Sequence, residues 1–503
     1  MRKTSFRSLL FLVIPIILII LGLLFFINRG KALFASAPVE SIAVLPFVNE
    51  SGIADMEYLS DGMTETLINS LSKIKELSVK ARSSVFRYKE KEIDPQKAGN
   101  ELSVQAILNG RVAQRGGNII LNLELVDVST GNQIWGEQYN RKTTDLVLLQ
   151  SEIAQDVSKK LQQKLTGSGQ NIAKNYTTNS EAYQLYLKGL FHWHKRTADD
   201  LKKAIDYFNQ AKEKDPSFAL AYAGLAITYS VLPKNTVMPK EEAEETRFKA
   251  TASALKALEL DNSIAEAHAV LAEKKLEEWD FAGAENDYKR AIVLNPNLAT
   301  AHQWYSELLG NLGRHDEALA EVKKAYELDP FSVAVNNNVG LRYAQAKQFN
   351  EAIVQFKKTI ELAPDYPVTY WFLSSAYLAK GMYEEGITQM SKAQILSKEE
   401  TPESAGRKAT ELRQALRSGG KKGYWRKILE EDLKSYEKGT GSPVNIAEDY
   451  AKLGEQYKAF EWLEKAYAER NGQLIYLKTN YLLDNLRTDP RYKDLLRRIG
   501  LPL

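Results

Sequence analysis

The 503-residue chain has no cysteine. Disulfides, thiolate metal sites and cysteine nucleophiles are excluded together. The compartment is not, because proteins outside the cytoplasm also lack cysteine. Surplus charge is nearly absent as well. Lys and Arg number 67 against 64 Asp and Glu, a formal net charge of +3. A nucleic-acid binder needs a strong basic surface to displace counterions, so no nucleic-acid partner is expected. Histidine is scarce, with five in the chain, and no HExxH occurs. Length points the other way: 503 residues exceed one hydrophobic core, so two or more domains are expected.

His192 and His194 in FHWH form the most tempting metal pair. At i and i+2 on a helix they point to different faces and chelate poorly. No neighbouring cysteine or acid completes a set, so the expected role is polar decoration of a helix end. Ser70-Leu71-Ser72-Lys73 matches S-x-x-K, but neither SDN nor KTG accompanies it, and a chance match is expected. Gly419-Gly420-Lys421-Lys422-Gly423, followed by Tyr424, Trp425, Arg426 and Lys427, lacks the Walker spacing and a preceding strand. A solvated basic loop between helices is expected there. No paired carboxylates stand out. The chain is expected to be no enzyme and to hold no cofactor or metal.

Residues 9–27, LLFLVIPIILIILGLLFFI, carry no charge and match the ~20 residues that cross a bilayer. Pro15 and Gly22 are tolerated in a membrane helix. Arg2, Lys3 and Arg7 precede the run, in a short basic N-terminus of residues 1–8, which favours an inside N-terminus. One N-terminal transmembrane helix is therefore expected, with the rest of the chain periplasmic or otherwise extracytoplasmic. Ala35-Ser36-Ala37 resembles a cleavage site, but the apolar run is long for a signal core and Pro38 follows the cut.

Further along, one pattern recurs. Ala284, Ala318 and Ala352 are each 34 residues apart, and so are Pro296, Pro330 and Pro364. A 34-residue period with small residues at fixed positions is the signature of the tetratricopeptide repeat, a pair of antiparallel helices. The small residue permits close approach of the helices. Tyr288, Val322 and Phe356 fill the gap between neighbours. The proline follows the second helix. Units 265–298, 299–332 and 333–366 are clean. Unit 367–400 is degraded, with Gly386 for the alanine and Lys398 for the proline. Upstream, Ala204, Phe208, Ala211 and Pro216 mark a unit with a lengthened inter-helix turn. Tyr222, Leu225, Ala226 and Tyr229 begin another, resumed at Ala250, Ala254 and Ala257 after an insertion around VLPKNTVMPKEE. Downstream, Tyr450, Ala459, Leu463 and Ala466 mark a seventh, and DPRYKDLLRRIGLP is expected to cap the array.

Residues 39–165 differ in texture. SIAVLPF reads as a buried strand. Leu59, Met63, Leu67, Leu71 and Ile74 give a helical stripe. LSVKARS reads as a second strand, followed by a short helix near 94–103. QAILNGRVAQ, NIILNLELVDV and NQIWGEQYN read as a meander with turns at Gly116-Gly117 and Thr130-Gly131-Asn132. Leu146, Leu149, Ile153, Val157 and Leu161 form a closing helix. The fold class is thus a small α+β domain followed by an all-α solenoid. Residues 166–179 read as a linker, 180–400 as repeats, 401–442 as a charged helix/loop connection, and 443–503 as the last repeat and cap.

SIAVLPF, YLSDGMTETLINSLSKI, LSVKARSS, AILNGRV, LELVDVSTGNQIWGEQYNR and LLQSEIAQDV together resemble the TolB amino-terminal-like domain. The stretch from EAYQLYLKGLFHWHKR onward is similar to the repeat block that trails it. In that family the pair is often joined, across a membrane helix, to a winged-helix DNA-binding domain, a protein kinase or a nucleotide cyclase. Here only a few residues precede the apolar run, so the expected remnant is the extracytoplasmic binding role.

The first helix of each unit lines the concave side of such arrays. Gln303, Glu307, Asn337, Gln345 and Trp371 are the expected peptide-binding groove, where amides bond an extended backbone and the indole anchors a side chain. The lysine and asparagine pattern that clamps chaperone tails does not match: Gln303, Glu307, Asn337 and Leu341 hold those places. The expected function is a membrane-anchored scaffold that binds proteins or peptides. Self-association is compatible with it. The alternative is a sensory subunit without a cytoplasmic output domain.

Overall fold

The computed structural model describes residues 39–52, 56–89, 94–162, 176–235 and 238–503. The expected membrane segment, 9–27, lies outside the described residues, as does most of the 166–179 linker. Among the described residues no helix is long and apolar enough to cross a membrane.

The first module is a mixed sheet. Its strands are β1 (Ser41–Val44), β2 (Val48–Asn49), β3 (Ser78–Val79), β4 (Ala106–Arg115), β5 (Asn118–Asp127) and β6 (Gln133–Lys142). The order is β3-β1-β4-β5-β6, with β2 beside β4. β1 runs parallel to β3 and β4, whereas β4, β5 and β6 form the expected antiparallel meander. Ile119, Leu121, Leu123 and Leu125 are buried, while Asn122 and Glu124 between them are exposed, so β5 keeps a period of two. Helices α1 (Glu57–Leu71) and α4 (Leu146–Gln162) place Leu59, Met63, Leu67, Leu149, Ile153 and Val157 in the same core. LSVKARS yields only the two residues of β3, because Arg82–Val85 turns into a short helix, α2. Asp94 caps α3 (Pro95–Leu102).

The solenoid follows as helix pairs: α5 (Ser180–Trp193) with α6 (Ala198–Lys214), α7 (Ala219–Asn235) with α8 (Lys240–Leu260), and α9 (Ala265–Glu277) with α10 (Phe281–Leu294). Next come α11 (Ala299–Asn311) with α12 (His315–Leu328), α13 (Val333–Gln345) with α14 (Phe349–Leu362), and α15 (Pro367–Ala379) with α16 (Tyr383–Leu396). The backbone repeats with the sequence. Trp279, Gly313, Lys347 and Gly381, spaced by 34, all have positive φ. Each follows the first helix of its unit, and the next N–H reaches back to close it, as Arg314 N does to Leu309 O at 2.9 Å. Tyr288, Val322 and Phe356 are fully buried beside Ala284, Ala318 and Ala352. The insertion near 233–240 lengthens both helices of its unit, to 17 residues in α7 and 21 in α8.

One expectation about the C-terminal part holds and one needs correction. RSGGKKG is the expected break between helices: α17 (Pro402–Glu437) is two helices joined by a sharp turn at Gly420, where φ is 61° and ψ −154°, and Lys427 lies 2.8 Å from Glu411 because the second helix doubles back on the first. Glycine permits that left-handed residue, and helix resumes on both sides. After α18 (Pro443–Leu453) and α19 (Gln456–Ala468), the chain does not extend the array. Residues 472–486 and α20 (Pro490–Ile499) fold back, so that Leu474, Leu477, Leu495 and Ile499 share a core with Leu276, Phe281, Tyr305 and Leu308 of the third and fourth pairs.

The sheet and the solenoid are docked. β3 is an edge strand, and bare edges invite foreign strands. Here two successive inter-unit turns cover it. Asn297 accepts from Val79 N at 3.1 Å and donates to Ser72 O at 2.9 Å and Leu77 O at 2.8 Å. One repeat later, Leu328 O accepts from Ala81 N at 2.9 Å, and Asp329 accepts from Ser84 Oγ at 2.6 Å and from Ser83. Leu187 of α5 also packs within the core of the sheet module.

Candidate functional site

Contact at both places, α5 against α1 and the turns against β3, leaves a space between. It is a cavity of about 850 Å³ bounded by α1, α2, α4, α5 and α7 on one side and by α9, α11 and α13 on the other. That volume suits a small ligand. Tyr186, Leu190, Phe218, Ile227 and Val231 supply apolar wall.

One polar cluster is built into it. Glu65 of α1 is buried, and His194 Nε2 lies 2.7 Å and Arg82 Nε 3.4 Å from its carboxylate. The imidazole contact is bent and is no well-formed hydrogen bond. Burial pushes His194 down to about 4 against the pull of Glu65. Burial would raise Glu65, but His194 and Arg82 together hold it below its ordinary value. Arg82 also lies over the Phe86 ring at 3.5 Å and reaches Asp61 at 3.7 Å, and Lys89 bridges Asp61 and Glu57 at 2.8 and 2.7 Å. A buried carboxylate stripped of its partner costs ~3–5 kcal/mol, so the cluster fixes how α1, α2 and the α5–α6 turn meet.

That turn, residues 194–197, is the lengthened one expected from sequence. It carries Arg196 at φ 58°, with its guanidinium 3.9 Å above the Trp193 ring. Left-handed geometry costs a non-glycine residue ~1 kcal/mol. Trp193 Nε1 and both amide atoms of Gln150, on α4, are buried on the cavity wall without hydrogen-bond partners.

The sequence-predicted positions separate. Gln303 lines the cavity. Glu307 instead accepts from Tyr476 Oη at 2.6 Å, and Gln345 donates to Asn311 at 3.2 Å and Thr479 at 3.3 Å. The folded-back segment thus occupies that part of the concave face. Asn337 is buried, and Trp371 is half-buried further along the array. The five do not form one open groove. His192 and His194 diverge to different acids, His192 meeting Asp200 at 2.8 Å. Ser70 and Lys73 line the cavity, but Ser70 donates to Thr66 O and Lys73 to Tyr176.

Sequence reading missed Arg82, Gln150, Trp193 and Arg196. The lengthened turn was the one signal pointing to any of them. It also missed a carboxylate group outside the cavity. Burial raises Asp432 to about 6 and Glu448 to about 7, and raises Asp449 further, beside those two like charges.

Fold and spacing define the class: the chain carries a tetratricopeptide-repeat array behind a small α+β domain. A tetratricopeptide-repeat profile matches residues 299–332, and a profile described as the second domain of HilA/YgeH-like transcriptional regulators matches 38–156. A Rhizobium meliloti (strain 1021) protein named "Putative adenylate cyclase 3" is 36% identical over 188 residues, 37% of this chain and 32% of that protein. Superkiller protein 3 of Schizosaccharomyces pombe is 25% identical over 42% of this chain and 15% of its own length. The chain therefore spans a third or less of these curated relatives. A solved thermophilic tetratricopeptide-repeat protein of Thermus thermophilus aligns over 39% of this chain and 99% of its own, at 19% identity and a TM-score of 0.33.

Proposed function

We propose that the chain is the sensing and partner-binding part of a signalling system, without catalytic turnover of its own. A small ligand enters the cavity between the α+β domain and the repeats, and the repeats present the response to a protein partner. One observation carries this reading: the two modules build the cavity jointly, so an occupant touches both. The HilA-type profile and the cyclase-named relative support it. Residues 9–27 would tether the chain to the inner membrane, with the domains outside the cytoplasm.

A second reading is a plain scaffold that binds an extended peptide along the concave face. The array itself favours it, but residues 472–486 would have to leave Glu307 and Gln345.

Hydrogen exchange on the full chain separates the two. With the low-molecular-weight fraction of the growth medium, the sensing reading expects protection together at 65–73, 147–154, 186–196 and 300–304. Changes confined to 337–345 and 472–486 in the presence of a protein partner would favour the scaffold, and no change at the cavity walls would remove the sensing reading.

A further inference from the structure

The cavity's unsatisfied groups specify its occupant, granted the sensing reading above. Arg196 makes no ion pair among the described residues; it is solvent-exposed, lies over Trp193 at the cavity wall, and feels the Glu65 charge at longer range. Trp193 Nε1 beside it is a buried donor without an acceptor. Trp193 Nε1 therefore calls for an acceptor, and the guanidinium at the same wall favours an anionic one. No nearby acid forms an ion pair with Arg196, although Glu65 acts on its charge. Glu65 is held by His194 and Arg82, and Asp329 by Ser83 and Ser84. Glu266, the remaining acid on the wall, forms no ion pair with Arg196.

Gln150 adds a different demand. It is 9% exposed, and both its carbonyl oxygen and its amide nitrogen lack partners. An amide buried with neither atom bonded is costly, and the group that relieves both atoms at once is another amide. Tyr186, Leu190 and Val231 supply an apolar stretch of the remaining wall.

We propose that the cavity binds a small carboxylate that also carries an amide and an apolar side group. The carboxylate sits on Arg196 and Trp193 Nε1, the amide on Gln150, and the side group on the Leu190–Val231 wall.

The probes are N-acetyl-L-leucine and its uncharged analogue N-acetyl-L-leucinamide, titrated calorimetrically into the full chain. The acid is expected to bind about ten-fold more tightly than the amide, the usual worth of one charge-assisted contact. Arg196→Gln should bring the two within about two-fold of each other, and Trp193→Phe should weaken the acid while keeping the ring. Gln150→Leu should weaken both compounds equally, yet raise the melting temperature of the empty protein, which a purely structural glutamine would not do. Equal affinities, no binding of either at millimolar concentration, or a preference that survives Arg196→Gln each overturns the assignment. Should the acid fail while medium-derived protection of the cavity walls persists, only the chemical class is lost. Should both fail, the sensing reading falls with it.

Discussion

Val79 donates its backbone N–H to the side chain of Asn297, 218 residues away in sequence, at 3.1 Å. An asparagine in an inter-unit turn thus takes the place of a neighbouring strand. Its amide nitrogen bonds Ser72 O and Leu77 O as well, so one side chain satisfies three backbone groups. Asn297→Leu leaves them buried and unpaired and is expected to destabilise by ~2–4 kcal/mol in urea denaturation. Asn297→Asp keeps the acceptor for Val79 but turns a charge on two carbonyls, and should be no better.

Tyr476→Phe removes the hydroxyl on Glu307. Arg342, buried nearby, has Glu307 as its chief attractive charge, so the folded-back segment rests on a polar cluster. The loss is expected to be ~1–2 kcal/mol. Hydrogen exchange should rise in 472–486 and stay unchanged in α1.

Glycines test two separate constraints. Gly381 has φ +78°, and a Cβ there meets only Lys421 Nζ at 3.9 Å, so Gly381→Ala should cost ~1 kcal/mol from backbone strain alone. At Gly340 a Cβ would stand 2.3 Å from Phe356 Cε1, so Gly340→Ala should cost ~1–3 kcal/mol through overpacking. Melting midpoints of the two variants should rank accordingly.

The carboxylates of α17 and α18 predict the pH dependence. Asp432, Glu448 and Asp449 all titrate above their ordinary values when folded, so the folded state binds these protons more tightly than the unfolded one. Their contribution is fully present below about pH 4 and is lost as pH rises through about 6 and 7. Asp449→Asn should therefore stabilise the chain at pH 8 by ~1–2 kcal/mol and flatten the decline between pH 5 and 8 in urea denaturation.

The repeat was legible because its determinants are local. Alanines and prolines at a 34-residue spacing fix helix pairs wherever they occur, and the left-handed residues at 279, 313, 347 and 381 follow the same count. The strands of the first domain were legible from alternation, as in Ile119 to Leu125. What was not legible depends on distant partners. Glu307 and Gln345 look like free groove residues until Tyr476 and Thr479 return to them. Asn297 and Asp329 look like turn residues until β3 is placed beside them. The buried carboxylates were invisible because nothing in their local sequence separates them from solvated acids on other helix faces.

The most direct test of the joined modules is amide exchange at Val79, Lys80 and Ala81. Lys80 N bonds Ile42 O inside the sheet at 3.0 Å, while its neighbours Val79 and Ala81 bond Asn297 and Leu328 of the solenoid. If the sheet and the repeats form one body around the cavity, all three amides exchange slowly and together. Slow exchange at Lys80 with fast exchange at Val79 and Ala81 would show an undocked edge, and the shared cavity would have no basis.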